Sequence, residues 1–500
     1  MFYTSTRDTS VKVTAAEAIT NGISKEGGLY VPCEIPEVNR EFIEHLATLD
    51  YIGRAKEILA LYLTDFTEQE LDYCVGGAYR EGKFTSEAVA PTVELKNGVN
   101  ILELWHGPTC AFKDMALQLL PYLLTTSAKK TADGKQIVIL VATSGDTGKA
   151  ALEGFKDVEN TNVLVFYPND GVSAMQKLQM CTQEGANVSV CAIKGNFDDA
   201  QTSVKEIFTS DDVKAKLAEH GMMFSSANSI NWGRLVPQIV YYFSTYCDLL
   251  NERKIESGEK INIVVPTGNF GNILAAYYAR EMGLPVKKLI CASNANNVLT
   301  EFIESGFYNK DRDFYTTISP SMDILVSSNL ERLLFHLSGE NDSFVKDCMQ
   351  GLFEDGHYTV DKSVYERIRG IFEGGYCDDT ATKATIGRLF KEQHYLCDTH
   401  TAVAVTVYEN YLKKTRDATI AVIASTASPY KFSPAVLEAV GSKDAVGDDG
   451  FEMMRTLHEI TGVPIPAPLA AMQNKPVRFD RVAERSEMTG VVLNMLGIQA

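Results

Sequence analysis

Six β-branched runs, most of them followed by loops rich in Gly, Pro, Ser, Thr, Asn or Asp, constrain the fold more than any other feature of this sequence. They are residues 137–143 (IVILVAT), 162–168 (NVLVFYP), 187–193 (NVSVCAI), 262–267 (NIVVPT), 287–293 (KKLICAS) and 419–425 (TIAVIAS). Helical stretches such as AMQKLQMCTQEG and NILAAYYAREMG separate most of them. Strands that are apolar throughout, alternating with helices, belong in parallel sheets covered on both faces. The expected class is therefore α/β, with two open α/β subdomains of mostly parallel strands. Residues 1–95 lack this rhythm and read as an N-terminal mixed α+β domain. A charged segment near 248–260 suggests a first subdomain over 96–255 and a second over 256–440, with a C-terminal extension at 441–500 packing on the body. Ligands of such sheets lie at the carboxyl ends of the strands, so those loops are where chemistry is sought.

Five hundred residues exceed what one core serves, in keeping with several units. The net charge of −18 disfavours nucleic acid or an anionic membrane as partner, because both require a cationic face. Ten cysteines include no C-x-x-C pair, so no zinc or other metal site is expected and free thiols in a reducing compartment are. No apolar run is long enough to span a bilayer, and the first residues lack a signal-peptide core, which predicts a cytoplasmic protein. The sequence leaves monomer and homodimer equally open.

Residues 101–118, ILELWHGPTCAFKDMALQ, run from a short buried strand through a His-Gly-Pro turn into a helix, with Lys113 at the helix start. The positive end of the helix dipole favours the neutral amine there, a nucleophile toward an aldehyde cofactor. A solvated lysine at a helix start fits the same stretch. Thr143, Ser144, Gly145, Asp146 and Thr147 follow a strand and open a helix, a turn suited to a substrate carboxylate or to tight packing alone. A nucleotide P-loop is excluded, since Thr143 stands where its first glycine belongs and Ala150 follows Lys149. Gly268, Asn269, Phe270, Gly271 and Asn272 form a second strand-to-helix loop without a cation, able to hold a phosphate monoester through dipoles. At the end of the last strand, the hydroxyl of Thr426 could face a heteroaromatic nitrogen or simply cap a helix. Asn228, Asn231 and Arg234 cluster at a further loop-to-helix junction, where the guanidinium suits a substrate phosphate or a structural ion pair. Lys149 and Lys431 are further candidates for that phosphate.

An amine, a carboxylate cradle, a phosphate cradle and a hydroxyl for a ring nitrogen are together what pyridoxal 5'-phosphate needs. The segments HGPTCAFKDMALQ, TSGDTGKAA, PTGNFGN, SANSINWGR, SPSMDI, DTHTAVA and STASPYKF, with YTSTRD and GGLYVP near the start, resemble threonine synthases of the longer bacterial and fungal type. The resemblance implies a tryptophan-synthase-β type fold with the cofactor between two subdomains. It implies that Lys113 forms the internal aldimine, that residues 268–272 hold the cofactor phosphate and that Thr426 meets the pyridine nitrogen. It further implies conversion of O-phospho-L-homoserine and water to L-threonine and phosphate.

Two positions depart from the family pattern. Ser428 replaces a histidine frequent before the proline of the Thr426 loop. Asp146 stands where related enzymes place an asparagine near the cofactor's phenolic oxygen, so either it points elsewhere or Asn228 or Asn231 makes that contact. A serine or threonine dehydratase sharing the same cradles, and a catalytically silent binding protein of the same fold, are the competing readings.

Overall fold

The structure is a computed structural model describing residues 1–96, 98–143, 145–170, 172, 174–195, 197–447 and 449–499. Its strands, in chain order, begin with β1 (Tyr3–Ser5), β2 (Asp8–Val13) and β3 (Tyr30–Pro32) of the N-terminal domain. They continue with β4 (Thr92–Glu94), β5 (Asn100–Glu103), β6 (Gln136–Ala142), β7 (Thr161–Pro168), β8 (Val188–Ile193) and β9 (Met222–Ser225). The second half adds β10 (Ile261–Pro266), β11 (Val286–Ser293), β12 (Phe307–Asn309), β13 (His357–Thr359), β14 (Phe372–Tyr376), β15 (Ala421–Ser425) and β16 (Val482–Ala483).

Two sheets dominate. The first runs β16-β8-β7-β6-β9 and is parallel throughout. The second runs β14-β11-β10-β15-β5-β4 and is parallel except at its edge, where β4 opposes β5. All of β10 and all but the first residue of β6 are buried, which is why these strands read as unbroken apolar runs. In the first sheet the chain passes from β6 to β7 to β8 and then returns to the other side of β6 with β9. In the second it passes from β10 to β11 to β14 and returns beside β10 with β15. Each sheet thus has a reversal of strand order, beside the edge strand β9 in the first and at the centre in the second, the kind of place where open α/β sheets bind ligands. The loops after β6, β10 and β15 all open at these reversals.

Strand pairing crosses the sequence grouping at one place. β5, which falls within the 96–255 segment, pairs with β15 of the second sheet, in register Val422 to Asn100 and Ser425 to Glu103, and β4 lies antiparallel beyond it. Sequence proximity misleads here because a parallel neighbour is chosen by crossover, not by adjacency. The C-terminal segment supplies β16 to the edge of the first sheet, and the helix Met488–Met495 lays Met488, Val491 and Val492 against Val138, Leu140, Leu164 and Phe166.

The helix Trp232–Asn251 is buried along nearly all of its length and ties the N-terminal domain to the body. Trp232 meets the rings of Tyr3, Tyr62 and Tyr278 at centroid distances of 5.4, 5.6 and 5.4 Å. Such rings bury about 150–250 Å² each, so this cluster contributes strongly to holding the domain in place. Arg7 adds a two-pronged ion pair to Glu331, and the wholly buried Arg332 donates to the carbonyls of Tyr30 and Ile230. Among the described residues, no helix is long and apolar enough to cross a membrane, and no group of side chains could hold a metal ion.

Candidate active site

Lys113 opens the short helix Lys113–Leu117 ten residues after β5 ends, and its side chain is only 12% exposed. The loop that carries it is stitched to the loop after β15. Phe112 donates its N–H to the carbonyl of Thr426 (2.8 Å), Ser428 donates to that of Cys110 (3.0 Å), and Lys431 Nζ donates to that of Thr109 (3.0 Å). Thr426 is thereby fixed beside the turn that starts the lysine helix. Ser428, in the place of the frequent histidine, accepts the N–H of Tyr430 and caps the turn Pro429–Phe432.

Burial holds the Lys113 amine below its ordinary pKa; Asp146 opposes this, and the charges of Lys431 and Arg234 reinforce it. The nearest carboxylate oxygen, on Asp146, is 3.7 Å away, whereas Lys431 Nζ is 2.7 Å from the other oxygen of that group. Gln176 Nε2 also donates to Asp146 at 3.1 Å. Burial alone would raise the Asp146 pKa, but Lys431 and then Lys113 hold it well below the usual carboxylate range. Asp146 is a charged, neutralised anchor whose stronger contact points away from the lysine amine. Lys431 is therefore committed to an ion pair, and Lys149 likewise, to Glu153 and Gln183.

The loop after β6 closes on itself. Thr143 Oγ1 accepts the N–H groups of both Gly145 and Gly148 at 2.9 Å, and Gly145 has φ +132° with Gln176 pressed against its Cα. A side chain at Gly145 would both strain the backbone and strike Gln176. Thr147 is partly buried at the start of the helix Asp146–Phe155, and Ser144 lies outside the described residues.

The loop after β10 has the properties of an anion cradle. Gly268 approaches the backbone of another loop so closely that a Cβ would lie 2.4 Å from the carbonyl oxygen of Ser321. Phe270 adopts φ +63°, which turns the chain into the helix Gly271–Glu281. The carbonyl of Asn269 is taken up by the backbone and side-chain amides of Asn329. Asn272 accepts hydroxyl protons from Tyr241 and Tyr242, while its own Nδ2, buried, has no partner. A buried amide donor at a helix N-terminus, beside a glycine pressed against backbone, fits a phosphate monoester.

Arg234 sits in the first turn of the helix Trp232–Asn251. It is buried, among the described residues no carboxylate pairs with it, and its Nε has no hydrogen-bond partner. Burial lowers its pKa to about 10, so it stays charged. Asn231 caps that helix through Gly233 N–H and donates to the carbonyls of Ile19 and Ser226, which occupies its amide fully. Asn228 is partly buried, and its carbonyl accepts the N–H of Asn231.

Nothing in the sequence assigns a role to Ser321, Gln176, Asp398 or His400; the only signal for Ser321, Asp398 and His400 is that the segments SPSMDI and DTHTAVA carry the resemblance.

The family model described as Pyridoxal-phosphate dependent enzyme matches residues 86–426, and those described as Threonine synthase N terminus and Threonine synthase, C-terminal match 2–79 and 401–492. The chain belongs to the threonine synthase family of pyridoxal-phosphate-dependent enzymes. Threonine synthase from Schizosaccharomyces pombe is 37% identical over 88% of the chain and 89% of its own length. The crystal structure of PLP-bound threonine synthase from Brucella melitensis superposes with a TM-score of 0.87 at 35% identity, covering 99% of each chain. Human threonine synthase-like 1 is 38% identical over 87% of the chain, which spans 60% of the human protein's length. Membership in this family agrees with the fold class and cofactor expected from the sequence.

Proposed function

We propose that this threonine synthase family member converts O-phospho-L-homoserine and water to L-threonine and inorganic phosphate, the last step of threonine formation. The observation that carries this reading is Arg234, a buried guanidinium with no carboxylate partner among the described residues and an unpartnered Nε. The 268–272 loop, which carries no cation, would serve the cofactor's monoester through dipoles, so a buried guanidinium elsewhere in the site implies a second anion. A dehydratase acting on an unphosphorylated amino acid has no use for it.

Pyridoxal phosphate, when bound, supplies an electron sink for the carbanion formed next to the substrate amino group. Gly268, Asn269, Phe270, Gly271 and Asn272 would hold its phosphate, and Thr426, a neutral hydroxyl, would face its ring nitrogen. Lys113, whose amine is shifted toward the neutral form by burial and by the charges of Lys431 and Arg234, would hold the cofactor at its aldehyde and would move the proton at the substrate's α-carbon. Arg234 binds the substrate phosphate and stabilises the charge that grows on it as it leaves the γ-carbon. Thr147 and the remaining N–H groups of the 143–147 loop receive the substrate carboxylate, with Thr143 holding the loop's shape; Ser144 is assigned there by sequence. Asn228 contributes its side chain to the phosphate end, and Asn231 supports Arg234 by capping its helix. All ten cysteines are free thiols, which supports a cytoplasmic setting.

The test is direct. Purified protein supplied with pyridoxal phosphate is incubated with phosphohomoserine, and released phosphate and threonine are measured together. Equal amounts of the two are expected; 2-oxobutyrate from threonine without phosphate release from phosphohomoserine would assign the dehydratase reaction instead.

A further inference from the structure

The Lys113 amine donates to Ser321 Oγ at 3.4 Å, nearer than the 3.7 Å to Asp146 Oδ2. Ser321 stands 208 positions away in sequence, in the one-turn helix Pro320–Met322. Three contacts aim it. Its backbone N–H donates to His400 Nε2 at 3.2 Å, its carbonyl presses on Gly268, and two residues on, Asp323 accepts from Asn294 (2.7 Å), Asn296 (3.0 Å) and Thr317 (2.7 Å).

An Nε2 that accepts must carry its ring proton on Nδ1, and Asp398 Oδ1 lies 2.8 Å from Nδ1. Asp398 also accepts the backbone N–H of His400 and the hydroxyl of Thr401, so its own position is fixed by the start of the helix Thr399–Thr415. Both Asp398 and His400 are buried, and the ring of Phe432 packs edge-on against the imidazole at 4.9 Å. A histidine that only capped its own helix would not need an acceptor nitrogen turned onto another loop.

We propose that the Ser321 hydroxyl orients the Lys113 amine for attack and proton transfer, and that His400, held in one tautomer by Asp398, is the positioning residue that aims Ser321. A neutral hydroxyl suits this task better than a carboxylate. It accepts one N–H and so points the amine's lone pair, without adding a second negative charge to the one on Asp146 that already favours the ammonium form. The inference rests on the reading of Lys113 as the group that binds the cofactor.

Capture of the cofactor by the amine tests it without recourse to turnover. Apoprotein is mixed with pyridoxal phosphate, the growth of visible absorbance is followed, and the bound cofactor is trapped with borohydride. Ser321→Ala should reach the wild-type cofactor content but capture it at least about tenfold more slowly, and should lower kcat about 10–100-fold with KM nearly unchanged, the scale expected for a misaligned group. His400→Leu should match it, and the Ser321→Ala/His400→Leu pair should be no worse than either alone. His400→Gln, whose amide oxygen takes the place of Nε2, should recover most of the loss. Wild-type capture by Ser321→Ala, or losses that multiply in the double variant, would overturn the proposal; the small Ser321→Ala change keeps the test valid should His400→Leu misfold. Lys113→Ala that still traps cofactor on borohydride would instead overturn the reading of Lys113, and that result is distinct from a silent Ser321→Ala.

Discussion

Lys431 Nζ lies 2.7 Å from Asp146 Oδ1, with the lysine side chain wholly sealed and the aspartate 4% exposed. The pair joins the loop after β6 to the loop after β15, one from each sheet, within reach of the reactive lysine. Removing the cation leaves the buried carboxylate with only Gln176 and the more distant Lys113 amine, which costs up to about 3–5 kcal/mol. Lys431→Met should therefore lower the urea midpoint sharply, and the double variant Lys431→Met/Asp146→Asn should regain a large part of the loss.

The same pair sets an acid limit. Asp146 titrates well below its unfolded value, so its contribution is complete above about pH 4, the unfolded carboxyl range, and is lost as pH falls toward the folded value. Urea midpoints measured from pH 6 downward should fall for the wild type from about pH 4, and Asp146→Asn should flatten that decline.

Arg234→Leu removes the proposed contact to the substrate phosphate. A charged hydrogen-bonded contact of this kind is worth about 1.5–3 kcal/mol, so KM for phosphohomoserine should rise roughly 10–100-fold while the cofactor dissociation constant stays within a few-fold. Losing the positive charge also relieves the pressure on Lys113, so the pH at which cofactor capture by the apoprotein reaches its plateau should move upward. An unchanged KM removes Arg234 from the substrate site.

Gly268→Ala places a methyl group 2.4 Å from the Ser321 carbonyl oxygen. The two loops must part, at about 1–3 kcal/mol. Cofactor titration of the apoprotein should show roughly 5–100-fold weaker binding, with the thermal midpoint little altered because the displacement is local.

Much of this architecture was legible in the sequence because buried parallel strands announce themselves as apolar runs, and β6, β7, β8, β10, β11 and β15 fall within two residues of where those runs lie. The strand-end loops were legible for a related reason: Gly, Ser, Thr and Asn are favoured in tight turns, so Thr143, Gly145, Gly268 and Gly271 mark them by residue type. What stayed hidden was pairing at long range. Nothing in residues 92–103 says that β5 lies against β15, and nothing local to Lys431 says that its partner is Asp146, because an ion pair between two crossovers leaves no periodic trace. Asn231 illustrates a different limit, since an asparagine in a polar loop looks the same whether it binds a ligand or caps the helix behind it, as this one does.

The pairing of β5 with β15 bears on how the protein is made. Asn100 waits for Val422, and at about 5–20 residues per second the ribosome delivers that partner roughly 15–65 s later. Until then the strand that leads to Lys113 has one parallel edge bare and the loop after β15 is not there to seat the lysine. The amine therefore gains its desolvated seat only when most of the polypeptide has been synthesised, and a chain cut before residue 421 lacks both the strand and the loop that provide it.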